Sequence, residues 1–272
     1  MFFQELKRGL LNKRMLFVVL IGLVLIYLSA YSRILKSITF AALDAPDIIG
    51  NTEVIQQLIT NGQNKYHIWH QSFFYLATFF PLLAILPYSA SFLEERNLNF
   101  YYFVASRTSY TAYVRTKYIV NFLVGGLAIF LPEFLFYTVI SLVFKNEVLP
   151  TFVFKPIGFL ASVFSTHPEL YIWMIFATHF LMGACFASIA ICLSSFVKRK
   201  IIVFVAPFLF YVISGFVLEA ILNLFSFSPL QWFTMMYNDH VNPGIMYGSL
   251  AGLLLLSLAL YTTRTRMERI NG

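Results

Sequence analysis

Charge is the scarcest ingredient of this 272-residue chain. Only 11% of its residues are Asp, Glu, Lys or Arg, whereas a soluble domain carries about 25%. That leaves too little polar surface to cover a water-soluble globule. Several motifs are also missing. There is no G-x-x-x-x-G-K-[ST] loop, so the chain does not cradle ATP in the usual way. Neither H-E-x-x-H nor G-x-S-x-G occurs. Cysteine is limited to Cys185 and Cys192. Seven residues along a helix places them about 10 Å apart, too far for a disulfide, so they read as small buried residues. No low-complexity tract or convincing internal repeat is present, and the basic N-terminus leads into an apolar run without a small-residue cleavage site.

What is abundant is apolar sequence, 59% of the chain, gathered in runs rather than alternating with polar residues. A helix of roughly 20 apolar residues matches a bilayer core about 30 Å thick. The runs predict an all-α membrane protein with six transmembrane helices, near 15–31, 73–93, 118–144, 170–193, 201–224 and 244–263. The apolar stretch 149–164 is short and interrupted by Lys155-Pro156, so it reads as interfacial or re-entrant. Ahead of the first span, Phe2, Phe3, Leu6, Leu10 and Leu11 share one helical face, with Gln4, Lys7, Arg8 and Asn12 largely on the other. This predicts an N-terminal interfacial helix over residues 1–14, and the transmembrane domain over 15–272.

The formal charge of +7 is distributed as an orientation signal, which argues against nucleic acid as a partner. Fourteen of the 19 Lys and Arg residues lie within 7–14, 96–117, 198–200 and 264–269. The other five are Arg33, Lys36, Lys65, Lys145 and Lys155. The positive-inside rule then places both termini in the cytoplasm and the long 32–71 connection outside. In that connection Asp44-Ala45-Pro46-Asp47 is a breaker and 51–60 predicts a short helix.

A few residues stand out chemically. Glu133, His179 and Glu219 are ionisable side chains in or near spans, where they are expensive and default to a functional hypothesis. The plainer alternative is a bond to a neighbouring helix or snorkelling to the interface, and we favour it for Glu219, near the outer end of its span. His67 and His70 are three apart, but no third ligand is close, and an interfacial aromatic belt accounts for the intervening Trp69; no metal site is assigned. Gly244, Gly248 and Gly252 form a row on the last span that permits close helix packing, with the same chain or with another. Pro81, Pro87, Pro132 and Pro207 imply kinks. The 94–117 connection is richest. It opens with Glu94-Glu95-Arg96, runs through an apolar-aromatic stretch to Ser106-Arg107-Thr108-Ser109-Tyr110, and ends with Tyr113, Arg115 and Lys117. Thr108 or Ser109 is suited to cap a helix entering the third span.

At this connection the sequence resembles the permease subunit of type-2 ABC exporters. Glu94, Glu95 and Arg96 resemble the family's acidic-basic cluster ending the second span, Ser106–Ser109 its turn, and Lys117 its entry lysine. The family's frequent Gly-Thr is replaced by Leu98-Asn99. The stretch from Ile191 to Lys198 is similar to the family's fourth-span ending, and Ser228-Pro229-Leu230-Gln231-Trp232-Phe233 to the segment of its re-entrant hairpin before the last span. The resemblance implies an N-terminal elbow helix, a paired second permease chain (homo- or heterodimer), and separate ABC ATPase subunits that bind the ATP and Mg. The chain itself would hold no cofactor and would not be an enzyme. It also implies that Glu94, Glu95, Arg96, Arg107, Tyr110, Tyr113 and Lys117 belong to an ATPase-coupling element in contact with a cytoplasmic partner, and that an amphipathic or hydrophobic cargo, such as an antimicrobial peptide, is moved outward. An ion-coupled secondary transporter is the alternative; it would need inverted repeats and a midplane ion site. An intramembrane enzyme would need acids and histidines clustered near one interface, and here they are scattered.

Overall fold

The computed structural model describes residues 1–36, 49–98, 100, 103, 109–145 and 156–271. Among these, the regular elements are helices, with one isolated bridge between Asn64 and Lys145. Helix α1 (Phe2–Leu10) stops at Leu11. Asn12 then caps α2 (Lys13–Ala30), its Oδ1 accepting from the Met15 amide at 2.7 Å, and α2 runs on through a wider turn to Leu35. The short helix expected over 51–60 is α3 (Thr52–Gly62), capped by Asn51. Asn64 caps α4 (Lys65–His70). Then follow α5 (Phe74–Ile85) and α6 (Ser91–Asn97).

Of the two caps anticipated within the 94–117 connection, Thr108 and Ser109, it is Ser109 that accepts from the Ala112 amide, at 3.3 Å. It starts α7 (Tyr110–Val143), which joins the entry segment and the third expected span into one helix. The remaining elements are α8 (Ala161–Thr166), α9 (Pro168–Phe196), α10 (Lys200–Phe216, continuing to Ile221), α11 (Pro229–Phe233) and α12 (Pro243–Asn271).

Among the described residues, five helices are long and apolar enough to cross a membrane: Lys13–Leu35, Tyr110–Val143, Pro168–Phe196, Lys200–Ile221 and Pro243–Met267. The protein is therefore a multi-pass α-helical membrane protein. The second expected span, 73–93, is not one continuous helix. It breaks over 86–90, at Pro87, and α5 has only 12 residues, about 18 Å at 1.5 Å per residue. Proline has no amide to continue the ladder and its ring displaces the preceding turn. The two pieces still run the length of the bundle. The Phe74 amide donates to Ser29 Oγ at 3.0 Å, near one end of α2, while Glu95 on α6 meets Arg8, which precedes the other end.

α7 and α9 form the centre. They cross where Gly125 meets Gly183: a Cβ on Gly125 would sit 2.2 Å from that of Ala187 and 3.1 Å from the Gly183 carbonyl oxygen. Asn121, buried one turn away, donates to the Ala187 carbonyl at 2.6 Å and accepts from Ser89 at 2.8 Å. Around this pair the core is aromatic, with Trp69, Phe73, Phe80, Phe176, Phe186 and Phe233 all buried. Between α10 and α12 the chain turns back, and α11 brings Trp232 and Phe233 into that core. Much of 149–164 lies outside the described residues. Its remainder runs along the same return, with the Ile157 and Phe159 amides bonded to the carbonyls of Met236 and Met235. The breaker at Asp44–Asp47 also lies outside the described residues.

Candidate functional site

Two acids and two bases from three segments meet at one end of the bundle. Lys117, fully buried on α7, donates to Glu5 of α1 and Glu95 of α6, each at 2.7 Å. Arg8 of α1 also donates to Glu95. Tyr113 donates to the second oxygen of Glu95 at 2.6 Å, and Tyr88 donates to Glu5. Burying such charges is costly, and it is tolerable only where every charge is paired and the spare lone pairs are bonded. Here the formal charges cancel and both carboxylates receive several donors. Burial pushes the Glu5 carboxyl up, but the charge and hydrogen bond of Lys117 outweigh it and hold the group below its ordinary value of 4.5. Phe2, Leu6 and Leu10 complete the joint by packing on Tyr88, Val120 and Val124.

Around this joint lies a second ring. Glu94 pairs with Arg14 at 3.2 Å and Lys200 at 3.0 Å. The Arg96 guanidinium donates to the carbonyls of Ser195 and Val197, closing the C-terminus of α9 with a cation where the helix dipole favours one. Of the residues named for coupling, Glu95, Tyr113 and Lys117 thus face inward and form the base of the connection. Glu94 and Arg96 lie nearer the surface, and Tyr110 packs beside Phe92 and Tyr113. Arg107 lies outside the described residues. Glu5, Arg8 and Tyr88 complete the cluster; the sequence pattern puts Arg8 on the polar face of α1 and gives Glu5 and Tyr88 no role. Glu5 is three residues from Phe2 on a helix whose apolar face was evident, a spacing that puts the two on neighbouring positions.

At the opposite end, Glu169 gathers Lys65 at 2.5 Å, Tyr66 at 3.0 Å and Tyr137 at 2.6 Å. Between the two ends sits a third polar contact. His179 Nδ1 lies 2.8 Å from Glu133 Oε1, and Nε2 lies 3.2 Å from the carbonyl of Phe233. A carbonyl only accepts, so Nε2 carries a proton. The Nδ1–Oε1 contact then needs one more, on either the imidazole or the carboxyl. The His179 ring stacks on Phe233 with centroids 3.8 Å apart. Glu133 Oε2 is buried with no partner.

Glu219 bonds locally, as favoured from the sequence: it accepts from Ser228 and, at 2.9 Å, from Gln231, tying the end of α10 to α11. Gly248 and Gly252 face open space, and Gly244 meets only the Asn242 side chain, so the row on α12 packs nothing within the described residues. Trp69 is not in an interfacial belt. It is buried edge-on against Phe73, Tyr171 and Phe176, because α4 turns its apolar face to the core. His70 lies against the Tyr237 ring at 4.7 Å. Burial and the neighbouring His67 push its imidazole down to about 4. Among the described residues, no group of three or more His, Cys, Asp and Glu is placed to hold a metal. No family model, curated protein or solved structure matches this chain.

Proposed function

We propose that this chain is the transmembrane permease subunit of an ATP-driven exporter of the type-2 ABC class, with both termini cytoplasmic. One observation carries the reading. The Glu5–Lys117–Glu95–Arg8 cluster fuses α1 with both ends of the 94–117 connection, and these are the elements that the resemblance assigns to receiving force from an ATPase. A push on the connection reaches α7 through a buried ion pair. The broken α5–α6 run supplies the sixth crossing, α1 the elbow and α11 the re-entrant piece. The exposed glycine row on α12 suits a close-packed second permease chain. ATP and Mg belong to the partner ATPase, and the aromatic interior suits an amphipathic or hydrophobic cargo such as an antimicrobial peptide.

The test is copurification with the ATPase and transport-linked ATP turnover in nanodiscs. Aromatic and Arg side chains carry much of the energy of protein interfaces, often about 2 kcal/mol for a central residue. Changing Tyr110→Ala and Arg107→Ala together weakens ATPase association at least about tenfold, since about 1.4 kcal/mol is one decade. Normal insertion with unchanged binding would remove the connection from coupling.

A second reading, an ion-coupled secondary transporter, is favoured by the Glu133–His179 pair, a proton-bearing contact inside the bundle. It requires cargo flux driven by a proton gradient in vesicles without ATPase. Flux that appears only with ATPase and ATP eliminates it.

A further inference from the structure

α7 and α12 touch where the Tyr261 ring packs against Tyr118, with centroids 5.5 Å apart, and its hydroxyl reaches the Val114 carbonyl at 3.5 Å. Beyond that contact, toward the end that holds the charged cluster, the helices part and leave an open cleft of about 480 Å³. Val114 and Thr265, both buried, form its floor. Its rim carries Tyr110, Thr111 and Arg115 from α7 and Thr262 and Arg266 from α12. One arginine from each helix, Arg115 and Arg266, thus lines the same hydroxyl-bearing cleft. Both are exposed, and neither makes an ion pair among the described residues.

The surrounding charge makes this pairing informative. In sequence, the segments at this end carry 14 Lys and Arg against four acids, Glu5, Glu94, Glu95 and Glu268. The first three are already engaged by Lys117, Arg8, Arg14 and Lys200. The cleft thus keeps its positive charge, and the guanidinium fork matches phosphate oxygens in shape as well as in sign. One turn further from this end on the same helix faces lie Ile119, four residues after Arg115, and Leu258, four before Thr262. Both are exposed apolar side chains. A ligand with phosphate at the rim and hydrocarbon alongside the helices satisfies both zones. Basic pockets between transmembrane helices hold anionic headgroups on this physical basis.

We propose that this cleft binds an anionic phospholipid, with Arg115 and Arg266 clasping its phosphate. The assignment rests on the membrane placement of the helices and not on the exporter reading. The test is native mass spectrometry of the purified chain released from nanodiscs containing phosphatidylglycerol and phosphatidylcholine in equal amounts. The wild type retains phosphatidylglycerol at least about tenfold more than phosphatidylcholine. The double variant Arg115→Gln/Arg266→Gln loses that preference, while its thermal midpoint is unchanged because both side chains are exposed. Arg199→Gln, which removes an exposed charge at the same end, keeps the preference. Equal retention by the wild type and the double variant overturns the proposal, and so does equal loss in Arg199→Gln, which would mean diffuse attraction. Displacement of the lipid by millimolar inorganic phosphate alone would assign the cleft to a free anion instead.

Discussion

Lys117 is the residue on which the terminal joint turns. It bridges Glu5 and Glu95 from a fully buried position, whereas Arg8, which also reaches both acids, is half exposed and 3.6 Å from Glu5; the Lys117 ammonium also lies 5.2 Å from the Tyr88 ring centroid. Lys117→Met keeps the volume and removes the charge, leaving two carboxylates against each other with Arg8 alone to balance them. Breaking a buried pair from one side costs about 3–5 kcal/mol. The expected result is a clearly lower midpoint of thermal unfolding in detergent, with Glu95→Gln on the same background recovering part of the loss. His70 provides a pH signature. Its folded value is about 4 against an ordinary 6.5, so the fold favours the neutral ring. The stabilisation is complete above 6.5, is lost progressively as the pH falls toward 4, and is absent below that. The difference is about 3 kcal/mol at about 1.4 kcal/mol per pH unit. Midpoints measured at pH 7.5 and pH 4.5 should differ less in His70→Gln than in the wild type; an equal difference would place the acid sensitivity elsewhere.

At the scale of elements, the α7–α9 crossing decides the architecture. Gly125→Val sets a branched side chain where a single Cβ already overlaps Ala187. Overpacking costs about 1–3 kcal/mol, and here the backbones must separate, which also strains the Asn121 bond to Ala187. The expected outcome is a reduced monodisperse fraction on size-exclusion chromatography, with Gly252→Val, in open space, behaving like wild type unless a second chain packs there. Some of these elements were legible and others were not, for physical reasons. Caps such as Asn51 and Ser109 act within one turn, so local sequence reveals them. Apolar runs report burial in lipid or protein without distinguishing the two, which is why Trp69 read as interfacial. Pro87 announced a kink, but whether a proline bends a helix or ends it depends on its neighbours. Glu5, Glu95 and Lys117 are separated by up to 112 residues, and nothing local in a chain records which acid a distant lysine will find. The Gly125–Gly183 crossing was equally hidden, because glycine pairing across helices has no fixed spacing in sequence.

For the whole molecule, contacts place α1, Glu94, Glu95 and Arg96, the 195–200 turn and Arg264 at one end, and Lys65, Tyr137 and Glu169 at the other. The topology proposed from the basic-residue split has the first end in the cytoplasm. Gln56 lies exposed on α3, beyond the far end. Gln56→Cys, with Cys185 and Cys192 replaced, should react with an impermeant maleimide in intact cells. Reaction only after the membrane is opened would invert the topology.

The polar contacts strung along α7 have a mechanical meaning. Lys117 fastens it below, Tyr137 fastens it to α9 above through Glu169, and Glu133 pins it to His179 between. Two rods held together at several heights cannot slide past one another; they turn as one body or remain still. α2, α10 and α12 turn much more of their apolar surface to the outside of the bundle than α7 and α9 do. In the proposed exporter, a push delivered at Lys117 would therefore be taken up by α7 and α9 together, as one rigid pair.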